Sequence, residues 1–203
     1  MGCLKVCAPV GFPAVERARV LRLALAVAPD LELDVAECGA PLSHADGEFD
    51  LLMHFGAPPA SGAWFSRVIR RVPVGLVAAK EYLDRVGRPE RLAALSTHPL
   101  FLWSVGGLEP RSVPLAGGGW QAVDPWMSTP NAELVRAAAR AGAGVALVPL
   151  AGQPFHGSDE GLERLLVGEV EGEVQLRMLA TNRRARNPRI DRVLSNIEAM
   201  GWA

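Results

Sequence analysis

A chain of 203 residues, 49% hydrophobic and 21% charged, is long enough to bury a core without a disulfide or metal staple. Its formal net charge of −1 argues against nucleic acid or an anionic membrane as a direct partner. No apolar run approaches the roughly 18 residues of a membrane span, and the opening MGCLKVCAPVGFP lacks the core of a secretory signal.

Gly 21 and Pro 16 make about 18% of the chain, which implies many short elements joined by tight turns. The three cysteines, Cys3, Cys7 and Cys38, cannot all pair and form no CxxC. Cys3 and Cys7 are four apart on an expected strand, so they share a face and are expected as small buried hydrophobes. Together with the missing signal, this points to a reducing cytoplasm.

Leu4–Pro9 reads as a first strand. Pro13 suits the first turn of a helix, and Ala14, Ala18, Leu21, Leu25 and Ala28 supply its apolar stripe. Leu31–Glu37 alternates at period two, as a half-buried strand does, and a connector over Ala40–Gly47 leads to the compact strand FDLLMHFG. The order β-α-β-α-β favours a parallel sheet with packed helices. An extended stretch over Phe65–Ala79 follows, then two short helical turns, KEYLDRVG and PERLAAL, and the strand Leu100–Trp103. Short strands and loops are expected over Gly106–Trp126, then the helix of STPNAELVRAAARAG and the strand GVALVPL. A helical turn around Asp159–Leu166, the strand EVQLRMLAT and a last helix complete the chain. That helix has Asn187 as N-cap, Pro188 at N1, Gly201 at its end, and Ile190, Val193, Leu194, Ile197 and Met200 as its buried stripe. Only two extended segments, Val72–Ala79 and Val174–Thr181, are suited to run between the two sets of strand–helix units.

Gly142 and Gly144 follow a helix and precede a strand. A phosphate-binding loop needs the opposite order. Gly142 is therefore expected as a left-handed helix cap and Gly144 as the tight start of the strand. HGSDEG has its serine off-centre for a nucleophile elbow and reads as a loop ending in a cap at Ser158 or Asp159. His44, His54, His98 and His156 have no metal-ligand spacing, so no metal or cofactor is expected. His54, at a strand end, is the one candidate for chemistry, against the alternative that nearby backbone satisfies it. The start of the Ala-rich helix, with Thr129 as N-cap, Pro130 at N1, Asn131 at N2 and Ser128 just outside, offers free N–H groups to an anion.

Five blocks in order, LKVCAPVGF, VAPDLELDV, GEFDLLMHFGAP, VGLVAAKEYLDRVGRPERLAALSTHPLFLW and ELVRAAARAGAGVALVPL, resemble the effector-binding domain of LysR-type transcriptional regulators. The resemblance spans nearly the whole chain. It implies a periplasmic-binding-protein-like α/β fold of type II, with two Rossmann-like lobes joined by two crossing strands. Lobe I would comprise residues 1–76 with 178–203, and lobe II residues 77–177. It further implies a non-catalytic module in which a small metabolite, an organic acid or an aromatic compound, binds in the interlobe cleft. Binding would modulate the geometry of a DNA-bound homodimer or homotetramer. Matched positions carry the ligand contacts to Val10, Gly11, Phe12, Gly39, His54, Phe55, Gly56, Trp103, Ser128, Thr129, Asn131 and Pro149. The family's N-terminal winged helix-turn-helix, its means of touching DNA, is not in this chain. Many members carry a hydroxyl where this chain has Val10, Gly11 and Phe12, so the first half of the site is expected to be apolar. The competing expectations are an enzyme built on His54 and a solute-binding protein; no carboxylate partner for His54 is evident in the sequence, and no signal segment is present.

Overall fold

The computed structural model describes residues 2–13, 18, 22, 25–26, 31–44, 48–58, 60, 64–150, 159–181 and 187–199. The chain divides into two compact units, Met1–Arg71 with Gln175–Ala203 and Val72–Val174. Strands β4 (Trp64–Ala79) and β11 (Glu171–Thr181) contribute residues to both.

The first unit is built on β1 (Gly2–Pro9), β2 (Leu31–Cys38) and β3 (Leu51–Phe55), with β11 beyond β3, in the order β2-β1-β3-β11. β1 is parallel to β2 from Gly2↔Leu31 to Pro9↔Cys38, and parallel to β3 at Val6↔Leu51 and Cys7↔Leu52. The backbone N–H of Lys5 donates to the Asp50 carboxylate at 2.9 Å, while Asp50 N–H donates to the Lys5 carbonyl at 2.8 Å. That reciprocal pair fixes where β3 begins along β1. β11 runs antiparallel to β3, pairing Leu176 with Phe55 and Arg177 with His54. Val6, Ala8, Leu51, Met53, Leu176 and Met178 are buried, as inward positions of a covered sheet should be. Cys7 and Cys38 join Leu52 and Leu179 in a second apolar cluster.

Several expectations for this unit need correction. Cys3 is exposed, unlike Cys7, because it lies near the start of β1, away from the Leu52 and Leu179 side chains that cover Cys7. Cys7 and Cys38 are joined as a disulfide. Ala14, Leu21 and Ala28 of the first helix stripe lie outside the described residues; Ala18 and Leu25 are helical and exposed, Leu25 at 50%. The connector contains a 3-10 turn, Pro41–His44. The last helix, α3, spans Pro188–Ala199 with Ile190 and Val193 buried; Met200 and Gly201 lie outside the described residues.

The second unit orders its strands β4-β9-β5-β8, with β10 paired to β4. Here β5 is Leu100–Trp103, β8 Met127–Thr129, β9 Val145–Pro149 and β10 Leu162–Leu165. β5 is parallel to both β8 and β9, and β4 is antiparallel to β9. β6 (Ser112–Pro114) and β7 (Trp120–Ala122) form a separate antiparallel ribbon. The helices are α1 (Lys80–Val86), a 3-10 segment Leu92–Thr97, and α2 (Ala132–Arg140). Leu76, Tyr82, Leu83, Leu95, Leu102, Val113, Val145 and Leu147 form one continuous core.

Gly142 behaves as its position implies. It sits at φ +68°, and α2 ends with Gly142 N–H on the Ala139 carbonyl at 3.0 Å and Ala143 N–H on the Ala138 carbonyl at 3.1 Å, a Schellman cap. At Gly144 a Cβ would lie 2.2 Å from the Pro99 carbonyl oxygen, so the strand starts where only glycine fits. The helical turn expected around Asp159–Leu166 is instead a turn closed by Leu162 N–H on the Asp159 carbonyl, followed by β10. The open backbone edge of β4 provides ladder partners from Ala79 to Leu76, and that tertiary pairing overrides local helical preference. No helix follows Asp159 to be capped, and Ser158 and His156 lie outside the described residues.

Candidate functional site

In the first unit, parallel pairing places the C-terminal ends of β1, β2 and β3 on one edge. In open α/β sheets this is the edge where chain reversals create ligand sites. Val10–Gly11–Phe12 leaves β1 there, with Val10 N–H on the Cys38 carbonyl and Phe12 N–H on the Pro9 carbonyl, both at 3.2 Å. Phe12 is buried, whereas Val10 and Gly11 are half-exposed. Gly39, after β2, is exposed with open space where a Cβ would stand. Gly56 takes φ +83° and donates its N–H to the Gln175 carbonyl at 2.8 Å. Phe55 is buried, so its side chain serves packing.

His54 is half-buried, and its cross-strand partner is Arg177, so the two side chains share a face. Burial holds the imidazole below its ordinary range; a hydrogen bond to the Ala57 backbone opposes this, and the Arg177 charge reinforces it. Arg177 donates from Nη1 to Ser66 Oγ at 3.1 Å and from Nη2 to Gln175 Oε1, and its buried Nε has no partner among the described residues. Both of these partners, Ser66 and Gln175, are neutral. A guanidinium held by neutral groups keeps its charge available for an anion. The sequence pointed to an apolar half-site and did not reveal Arg177, because β11 meets β3 only through the tertiary fold.

In the second unit the C-terminal ends of β8, β5 and β9 share an edge, since Trp103 pairs with Thr129 and Leu102 with Leu147. Ser104 N–H donates to the Thr129 carbonyl at 2.9 Å, and the buried Trp103 indole donates to the Pro130 carbonyl at 3.0 Å. The helix start expected at Thr129 is shifted. Thr129 ends β8, Asn131 is the N-cap, and its side-chain oxygen accepts from Leu134 N–H at 3.0 Å. Thr129 Oγ1 instead accepts from Asn131 N–H at 3.2 Å. The cause is the sheet: Thr129 is held in β8 by its pairing with Trp103 and by Ser104 N–H on its carbonyl, so the helix begins beyond Pro130. Ser128 is exposed, while Thr129 and Asn131 are half-exposed.

Arg136 was not singled out by its pattern, yet it organises this edge. It is a buried arginine on α2, 1% exposed. It pairs with the Asp159 carboxylate and donates to the carbonyl of the buried Pro149, which ties the end of β9 to the turn before β10. Burial pulls its affinity for the proton down, and Asp159 pulls it back up. Its only sequence signal was a basic residue on the apolar side of an amphipathic helix.

A cavity of about 800 Å³ also lies in the second unit, lined by Leu92, Leu95, Leu100 and Val123 among others. Leu100 opens β5, so this cavity sits at the opposite end of the strand from Trp103. His98 accepts from or donates to the Tyr82 hydroxyl at 2.8 Å. No group of three or more His, Cys, Asp and Glu able to hold a metal occurs among the described residues.

A family model described as the LysR substrate binding domain matches residues 1–201. Full-length AphB, a Vibrio cholerae virulence activator and member of the LTTR protein family, shares the fold. It is 17% identical, with a TM-score of 0.76 over 97% of this chain and 68% of its own. The regulatory domain of CrgA, a LysR-type transcriptional regulator from Neisseria meningitidis, has a TM-score of 0.76 at 17% identity, covering 99% of this chain and 100% of its own. The effector domain of the transcriptional regulator AmpR of Pseudomonas aeruginosa has a TM-score of 0.74 at 21% identity, covering 98% and 95%. No curated protein sequence matches the chain. The fold is the mixed α/β, periplasmic-binding-protein-like fold of these domains.

Proposed function

The chain belongs to the LysR substrate binding domain family, and on that premise we propose that it is the effector-sensing domain of a transcriptional regulator, non-catalytic and cytoplasmic. Its ligand is a small organic acid, aliphatic or aromatic. The observation that carries this is Arg177, a cation with neutral partners beside His54 at the C-terminal strand edge of the first unit. The proposed contacts are Val10, Gly11, Phe12, Gly39 and His54–Gly56, with Trp103, Ser128, Thr129, Asn131 and Pro149 from the second unit. The lobes are taken as residues 1–76 with 178–203, and 77–177. In the whole regulator, a homodimer or homotetramer meets DNA through a separate winged helix-turn-helix. Ligand acts there only by binding two arrangements of the oligomer unequally.

An enzyme reading finds less support. His54 is held neutral, and its cross-strand partner is a cation, whereas acid–base catalysis asks for a convergent carboxylate.

A thermal-shift screen of small carboxylic acids, each against its uncharged amide, tests the proposal. An acid at 100 times its Kd adds about 2.7 kcal/mol to stability. Its amide should bind at least about tenfold more weakly, as should the acid to Arg177→Gln, because a charge-assisted hydrogen bond is lost. Amides binding as well as acids would refute the anion site, and turnover abolished by His54→Ala would refute the sensor.

A further inference from the structure

Cys7 and Cys38 stand on neighbouring parallel strands, with Cα atoms 6.1 Å apart, inside the span a disulfide bridges. Cys7 pairs across with Ala36 and Cys38 with Pro9, so the two sulfurs lie on one face, two residues apart along β2. Cys7 is fully buried and Cys38 is 6% exposed, among Leu52, Leu179, Leu42 and Phe49. Cys3 is exposed and stands apart from the pair.

We infer that Cys7 and Cys38 form a reversible dithiol–disulfide site that sets how firmly the C-terminal ends of β1 and β2 are held together. Three observations converge. The backbone brings the pair within bonding reach without help from any other element. The apolar surroundings accept either state, because two free thiols are small hydrophobes and a disulfide is no more polar. The position is not incidental to the edge, since the Cys38 carbonyl accepts the hydrogen bond from Val10 N–H. Reversibility rests on the cytoplasmic placement proposed above, where a permanent structural disulfide is rare; the redox site itself does not depend on the ligand.

The oxidant is a small-molecule disulfide. Cys38, with its slight exposure at the strand end, attacks as thiolate and forms a mixed disulfide, releasing one thiolate of the reagent. Cys7 thiolate then attacks the Cys38 sulfur and displaces the second. The protein loses two electrons and two thiol protons, and the small disulfide becomes two thiols, or one dithiol if it is cyclic. Closing the bond cross-links residues 31 apart in sequence.

The test uses the whole chain with Cys3→Ser, equilibrated in buffers of reduced and oxidised dithiothreitol at varied ratio. Maleimide labelling after denaturation should count no thiols at the oxidising end and two at the reducing end, in one concerted step. The oxidised form should melt about 5–10 °C higher, as expected for a loop of this length. Exchange of the Val10 amide should slow by tenfold or more on oxidation, while the Ala141 amide, held within the second unit, is unchanged. Cys38→Ala, which keeps a small apolar side chain, should abolish both shifts and leave one thiol at every ratio. Two thiols labelled at every ratio, or a thiol count that changes with no effect on Val10 exchange, overturns the proposal.

Discussion

The two strand edges are built on the same plan and finished differently. In the second unit, polar groups at the edge are answered locally: Trp103 by Pro130, Asn131 by Leu134, and the Arg136 guanidinium, apart from its Nε, by Asp159 and Pro149. In the first unit, the edge is closed by apolar Phe12 and backbone bonds, and the cation beside His54, Arg177, rests on neutral Ser66 and Gln175. A charge already paired contributes rigidity, while a charge held by neutral groups is left to attract a counter-ion. On the proposed reading, the second edge serves as a preformed scaffold, and the first would carry the electrostatic preference for a ligand.

The largest effect should come from Arg136→Met, which keeps the apolar volume but leaves the Pro149 carbonyl unanswered. We expect a loss of about 2–3 kcal/mol in urea unfolding, below the usual cost of breaking a buried pair because Asp159 can rehydrate. A loss under about 0.5 kcal/mol would mean the second edge is not held from within. Asn131→Ala should cost about 1 kcal/mol, or roughly 2–4 °C in melting temperature, as removal of a helix cap does. Thr129→Val should cost less, since Thr129 accepts a single turn bond and caps no helix. Reversal of that order would restore the helix start to Thr129.

The smallest effect is on pH dependence. Burial lowers the proton affinity of both His54 and His98 below the ordinary 6.5. Each is therefore neutral in the folded chain at a pH where the unfolded chain already binds a proton. Above about pH 6.5 neither contributes a slope; as pH falls below it, stability is lost until the lower folded value is passed. Melting curves across that window should flatten in part for His54→Gln and in part for His98→Gln. Equal curves for wild type and both variants would show that neither edge nor core excludes the proton.

Much of the fold was legible because it is local. Alternation in LELDVAE, the compact run LLMHF and the helix–Gly–strand order around Gly142 each report short-range physics, and each element stands within a few residues of its expected place. The errors fall where distant chain decides. Thr129 carries a capping side chain, but its pairing with Trp103 keeps it in β8 and the role passes to Asn131. Leu162–Leu165 has helical composition and becomes a strand because β4 has an edge to fill. Arg136 and Arg177 look like ordinary surface charges until Asp159, Pro149 and His54 arrive from elsewhere. Cys38 gives no sign of Cys7 until two parallel strands are in register.

The pairing of β3 with β11 also has a consequence for synthesis on the ribosome. The first unit receives its last strand only after the second has been translated in full. At roughly 5–20 residues per second, the β3 edge then waits on the order of ten seconds without its partner. The second unit, contiguous in the chain, can close during that interval. The first unit meanwhile presents an unfilled strand edge and a buried-to-be thiol, Cys7, to whatever holds nascent chains and sets their redox state.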